Sequence, residues 1–129
     1  MNAVARLVTY VELDGAATDD RQLSVSARLE AELADGGSVV LLDDRGWGVS
    51  GGPGLRGRLS PEEIEQDART VLGPDEPYGE LTSERMAADH WNALAAILRG
   101  RGVAADGAGL AGLRHDVVLG ADLRAWLDG

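Results

Sequence analysis

The strongest constraint in this chain is a period of two running from Leu23 to Leu33. Leu23, Val25, Ala27, Leu29, Ala31 and Leu33 alternate with Ser24, Ser26, Arg28, Glu30 and Glu32. That pattern suits a half-buried strand, whose side chains point by turns to core and solvent. The Ala, Leu, Glu and Arg content pulls toward helix, and Val25, Leu29 and Leu33 also fall at i, i+4 spacing. The turn after Leu33 decides for the strand. Asp35-Gly36-Gly37 leads straight into Ser38-Val39-Val40-Leu41-Leu42, and such a turn between two apolar segments signals a hairpin. The spacing therefore predicts strands over 23–33 and 39–42.

An earlier strand fits Ala3 to Leu13, where Ala3, Ala5, Leu7, Thr9, Val11 and Leu13 alternate and Asp14-Gly15 closes the run. After Leu42 the pattern breaks at Asp43-Asp44-Arg45-Gly46-Trp47. Gly48 to Arg58 is rich in Gly, with Pro53 inside. The reading for 43–58 is a long loop holding at most a short strand around Trp47–Val49. Long irregular loops in compact domains are often functional.

The second half reads as helix. Ser60-Pro61-Glu62-Glu63 is a capping box with Pro at the first helical position, and Gly73-Pro74 ends the segment. A second helix is expected from Ser83 to Arg99, capped by Thr82 and stapled by Leu81 against Met86. Its buried face would be Met86, Ala87, His90, Trp91, Leu94, Ile97 and Leu98. Val103 to Leu113 is weakened by glycine, and Val117-Val118-Leu119 is too short to assign by period. A short helix over 121–127 closes the chain. Strands first and helices after predict a single α+β domain over residues 1–129. An antiparallel β-meander in the N-terminal half packs against helices from the C-terminal half.

The 129 residues can bury roughly two thirds of the unfolded surface, enough to fold without metal or disulfide. There is no Cys, which removes thiol catalysis, disulfides and cysteine metal sites, and there are only two His. Twelve Arg (no Lys) stand against 22 acids, for a net charge of −10. That balance argues against nucleic acid and anionic membranes as partners. No apolar run is long enough to span a bilayer, and the N-terminal segment lacks the pattern of a signal peptide. A cytoplasmic protein is the expectation.

Few residues invite chemistry. Gly107-Ala108-Gly109-Leu110-Ala111-Gly112 fits G-x-G-x-x-G, but it follows a polar linker and leaves 17 residues after it, too few for a βαβ unit. It reads as a loose surface segment. Asp89-His90 and His115-Asp116 suggest acid–base pairs, yet neighbours on a helix point about 100° apart. No Ser lies in a nucleophile-elbow context. Asp43-Asp44 would alternate faces if extended and lacks the spacing of a calcium loop. No cofactor and no metal site is assigned.

The charge is more informative. Residues 1–59 carry a net of −3 and residues 90–129 a net of zero. Residues 60–89 hold nine acids and two Arg, a net of −7. Glu62 and Glu63 favour a helix N-terminus, and Glu65 is placed to pair with Arg69. Asp67, Asp75 and Glu76 have no such local reason. A solvated acidic helix is the plain reading; an acidic docking face is the sharper one. Trp47, set between glycines near Asp43 and Asp44, is either an interface anchor or a lid on the core.

Several segments carry a family resemblance. Val40-Leu41-Leu42-Asp43-Asp44-Arg45-Gly46-Trp47 and Ala68-Arg69-Thr70-Val71-Leu72-Gly73-Pro74-Asp75-Glu76-Pro77 are two of them. Asp89-His90-Trp91-Asn92-Ala93-Leu94 and Leu113-Arg114-His115-Asp116-Val117-Val118-Leu119 are the others. They resemble motifs of actinobacterial immunity-type proteins encoded beside polymorphic or contact-dependent growth inhibition toxins. The likeness spans residues 39 to 119. It implies a cytoplasmic protein that binds and blocks a toxin domain, often a basic nuclease. It carries over no binding residues and fixes no architecture.

Charge and resemblance together point to an immunity protein, not an enzyme. It would occlude a cognate basic toxin domain through Asp43, Asp44, Trp47, Glu62, Glu63, Glu65, Asp67, Asp75 and Glu76. The alternative is a small hydrolase or ligand-binding domain using His90 and His115 with nearby acids. The toxin's activity and the oligomeric state stay open.

Overall fold

The structure, a computed structural model, describes residues 2–74 and 82–128. Three long strands come first: β1 (Asn2–Leu13), β2 (Gln22–Leu33) and β3 (Ser38–Ser50). Helix α1 (Pro61–Val71), helix α2 (Ser83–Gly100) and a two-residue strand β4 (Val103–Ala104) come next. The short helix α3 (Gly107–Ala111), strand β5 (His115–Leu119) and helix α4 (Ala121–Asp128) complete the order. The fold is α+β, as the alternation of the first half and the capped helices of the second implied.

The strands form a five-stranded sheet. Its antiparallel part runs β3-β2-β1. The hairpin between β2 and β3 closes through Leu33 N–H donating to the Gly37 carbonyl at 2.8 Å. Gly36 takes φ +91°, a conformation that a Cβ disfavours, so the Asp-Gly-Gly signal has a direct structural cause. The free edge of β1 then accepts two parallel partners from the C-terminal half. β4 pairs with Asn2 and Ala3, and β5 pairs with Leu7 to Val11. Parallel partners need a long crossover, and the helices between β1 and β5 supply it. The 117–119 run is thus strand. Val103–Leu113 is a strand fragment plus a helix rather than featureless chain.

One sheet face carries the core. Leu7, Val11, Leu23, Val25, Ala27, Leu29 and Ala31 are all buried there. Ile64 and Ala68 of α1, Leu94, Ala95 and Leu98 of α2, and Leu123 and Trp126 of α4 belong to the same cluster. Each large aliphatic side chain removed from water contributes about 1.5–3 kcal/mol. The other face is laced with charge. Arg6 donates to Glu32 (2.8 Å) and Asp116 (2.7 Å), and Arg28 to Glu30 (2.5 Å). Ile97, expected on the buried stripe of α2, is 40% exposed. His90 and Trp91 are half-buried.

The largest departure from expectation is β3. The strand does not stop at Leu42; it runs on to Ser50, and residues 43–50 are not loop. Two bulges hide its period. Leu29 pairs with Leu42 while Glu30 pairs with Val40, which leaves Leu41 extra. Ala27 pairs with Arg45, so Arg28 faces both Asp43 and Asp44. Each insertion shifts the side-chain phase by one residue, and two restore it. Val39, Leu42, Arg45, Trp47 and Val49 therefore all sit opposite core-facing residues of β2. Without the bulges, Asp43 would point into the core. With them, Asp43 and Asp44 are both exposed, instead of alternating between faces.

Candidate functional site

Helix α1 lies between the two ends of the sheet's covered face and is tied to each. Arg45 of β3 donates through Nη1 to the Val71 carbonyl at 3.2 Å. Arg69 of α1 donates through Nη2 to the His115 carbonyl of β5 at 3.4 Å. The helix begins as the sequence requires: the Ser60 hydroxyl accepts from Glu63 N–H at 3.2 Å, with Pro61 in the first turn. Ile64 and Ala68 anchor it, both wholly buried.

That orientation leaves Glu62 and Glu63 exposed and Glu65 and Asp67 half-buried. The anticipated Glu65–Arg69 pair is not among the ion pairs of the described residues; Arg69 turns to the His115 carbonyl instead. Arg45 reaches the C-terminal end of α1, while Asp43 and Asp44 stand opposite Arg28 on the exposed side of β3. Glu62 and Glu63 stand at the N-terminal end of α1, about 13 Å from Val71 along the axis at 1.5 Å per residue. The acids of α1 and those of the β3 bulge thus form two groups rather than meeting at a point. Asp75 and Glu76 lie outside the described residues, as does Leu81 of the expected staple.

The carboxylates of the described residues differ in their neutralisation. On the open sheet face Glu30, Glu32 and Asp116 each receive an Arg within 3 Å. Hydrogen bonds from Arg6 and then Arg114 hold the Asp116 carboxyl below the usual carboxylate range. Along α1 and at the β3 bulge, Asp43, Glu62, Glu63, Glu65 and Asp67 have no ion pair among the described residues. Among the described residues Asp44 has one loose contact, of 3.6 Å to Arg45.

Trp47 packs partly buried against the core cluster, so much of its ring serves as a lid. Its indole N–H is buried without a hydrogen-bond partner among the described residues. Leaving such a donor unpaired costs about 1–3 kcal/mol.

No family model matches the chain, nor does any curated protein or solved structure.

The histidines are held in separate settings. His115 Nε2 lies 2.6 Å from Thr9 Oγ1, and Thr9 is wholly buried. Burial first, and then the Arg69 charge, push the His115 pKa down, with Asp116 partly opposing. A neutral imidazole beside a hydroxyl is the chemistry a general base needs, but the Thr9 hydroxyl has no exposed surface for a substrate to reach. His90 stacks edge-on to Trp91, with ring centroids 4.8 Å apart. Two clefts flank α3. One of about 160 Å³ opens between Ala3 and Leu110, and one of about 360 Å³ lies beside Trp91 and Asn92. Neither is lined by a histidine. Among the described residues no group of three His, Asp or Glu is arranged to hold a metal, and no helix is long and apolar enough to cross a membrane.

The glycine-rich G-x-G-x-x-G segment forms α3, capped by Asp106 Oδ1 accepting from Gly109 N–H at 2.7 Å. It is not loose surface: Gly107 is buried, and a Cβ there would meet Asn92 of α2. Its glycines serve close packing of α3 on α2.

Proposed function

We propose that the protein is a binding module that takes a basic partner protein along α1 and the neighbouring bulge of β3. The observation that carries this reading is the uneven neutralisation of its carboxylates. Glu30, Glu32 and Asp116 on the open sheet face are matched by arginines, whereas Glu62, Glu63, Glu65 and Asp67 of α1 and Asp43 of the bulge have no ion pair among the described residues. Unpaired acids on an element fixed by buried Ile64 and Ala68 form a preorganised field, which steers an oppositely charged partner and discriminates against acidic ones.

The resemblance to immunity-type proteins gives this surface a use. The partner would be a cognate toxin domain, basic and of the nuclease kind, and occlusion of its cationic cleft would neutralise it. The setting would then be the cytoplasm. No catalytic step is assigned to this chain, and nucleic acid and membrane are not its partners in this reading.

The test begins with the reading frame beside the gene. Its encoded C-terminal toxin domain is mixed with the full chain in a stopped-flow instrument. A complex should form, with an association rate that drops as salt rises past a Debye length of about 8 Å. Joint replacement of Asp43, Asp44, Glu62 and Glu63 by Asn or Gln should lower that rate about tenfold. A neighbour that is not a toxin, or a rate insensitive to both salt and the four substitutions, overturns the reading.

A further inference from the structure

β3 is the outermost strand of the sheet, and no described strand pairs with its far edge. Exposed edges invite another strand, and proteins block them with bulges, charges or proline. Here the blocking devices lie in one half only. The bulges at Leu41 and at Asp43-Asp44 disrupt the first part of β3. From Arg45 to Ser50 the strand is regular and carries no acid, lysine or proline.

The direction of the backbone in that second half is set by its neighbours. Ser24 N–H donates to Thr18 Oγ1, and the Ser24 carbonyl accepts from Asp14 N–H, so both groups of Ser24 point toward the β1 side. Alternate residues of a strand send their backbone groups to opposite edges. Leu23 and Val25 therefore point to β3, where they pair with Val49 and Trp47. Gly51 N–H donating to the Arg21 carbonyl at 3.1 Å continues the same set. The remaining residues direct their N–H and carbonyl groups outward: Ser50 at the strand end, and the glycines Gly46 and Gly48. Neither takes part in a backbone bond outside the ladder among the described residues. Lacking side chains, both leave the edge open to close approach.

We propose that the outer edge of β3 from Arg45 to Ser50 is a strand-addition site for a basic, extended segment of the partner protein. The inference rests on the reading of a basic partner and specifies how that partner is gripped. Six residues give about 20 Å of ladder. The incoming strand bonds to Gly46 and Gly48. Its cations meet Asp43 and Asp44, which are exposed where the bulge ends the regular segment. Charge selects this occupant over a second copy of the chain, because each copy carries a net charge of −10 and repels the other. The bulge and acids also fix where pairing must stop, which sets the register of the added strand.

The test uses the full chain, amide exchange read by NMR, and a synthetic eight-residue peptide alternating Arg with Val or Thr. At low salt the peptide should slow exchange at Gly46 and Gly48 about tenfold. Added salt should reverse the effect. Gly48→Pro removes an outward N–H without touching the β2 ladder, and it should abolish the protection at Gly46 while keeping the thermal midpoint. Asp43→Asn with Asp44→Asn should weaken the peptide by a separate route if the proline variant fails to fold. Peptide binding that shifts α1 amides and leaves Gly46 and Gly48 unchanged overturns strand addition but leaves the acidic docking reading standing. A peptide without effect at any amide overturns both. Protection of Gly46 and Gly48 without peptide, together with a dimeric mass, overturns the basic occupant in favour of a second copy.

Discussion

His115 Nε2 sits 2.6 Å from Thr9 Oγ1, joining the short parallel strand β5 to the central strand β1 beneath the covering helices. Thr9 is the buried polar side chain of the sheet, and this contact satisfies it. The bond is compatible with a neutral ring, and burial together with Arg69 shifts the His115 pKa down, in favour of that form.

That pair predicts a pH dependence with a definite sign. A histidine whose pKa is lower in the folded state takes up its proton more readily when unfolded. Its stabilising contribution is complete above the unfolded pKa of about 6.5 and is lost as pH falls through that value toward the folded one. Urea denaturation should show a midpoint that declines on acidification from pH 7.5 to 5.5. In His115→Gln this decline should shrink. An unchanged slope would show that other groups control stability in that window. Thr9→Val, which removes the hydroxyl partner, should cost about 1 kcal/mol at pH 7.5.

Asp116 should report on the opposite face in a different window. Arg6 and Arg114 hold its carboxyl below the ordinary value, so its contribution is present above the unfolded pKa near 3.8 and disappears as pH falls below it. In Arg6→Gln the largest cause is gone, and the carboxyl carbon of Asp116 should titrate at higher pH by NMR. An unmoved titration would mean that Arg114 alone accounts for the shift.

Legibility in the sequence depended on where local pattern meets tertiary choice. β2 could be read because its period is unbroken and its turn contains the residues a hairpin demands. Helix α1 could be read because Ser60, Pro61 and Glu63 carry their capping role within four positions. β3 could not be followed past Leu42, because two bulges break the count and Gly46 and Gly48 add no side chain to it. Arg45, Trp47 and Val49 do alternate with those glycines, and that alternation is the strand signal the bulges obscure. β5 escaped because five residues show no period and its partner lies over a hundred positions away. The acids of α1 were visible as a charge run. Their lack of arginine partners, on which the docking reading depends, is a property of side-chain placement that composition does not carry.

The two edge glycines should respond unequally to the same substitution. A Cβ on Gly46 would stand 2.8 Å from the Val25 carbonyl oxygen, a backbone atom that cannot swing aside. A Cβ on Gly48 would lie 3.4 Å from the Leu23 carbonyl oxygen, an ordinary contact. Gly46→Ala should therefore lower stability by about 1–3 kcal/mol through overpacking, whereas Gly48→Ala should stay within about 0.5 kcal/mol. Equal denaturation midpoints for the two variants would contradict this close approach of β3 to β2.

Ile64 separates the placement of the acidic helix from its charge. Its side chain is wholly buried, and the residue follows directly on Glu62 and Glu63 in the first turn, so it fixes where those carboxylates stand. Ile64→Ala should cost about 2–5 kcal/mol, from lost burial and the cavity left behind. It leaves the net charge unchanged. Glu62→Gln with Glu63→Gln does the reverse: it removes two charges and costs only the helix-dipole benefit of about 0.3–1 kcal/mol each. If binding requires the acids in fixed positions, Ile64→Ala should weaken the partner mainly by faster dissociation, as the docked helix loosens. The double Gln variant should weaken it mainly through slower association at low salt. Surface plasmon resonance at two ionic strengths distinguishes the two effects. Identical kinetic signatures from both variants would mean that α1 acts only as part of the core, and that the acids along it steer nothing.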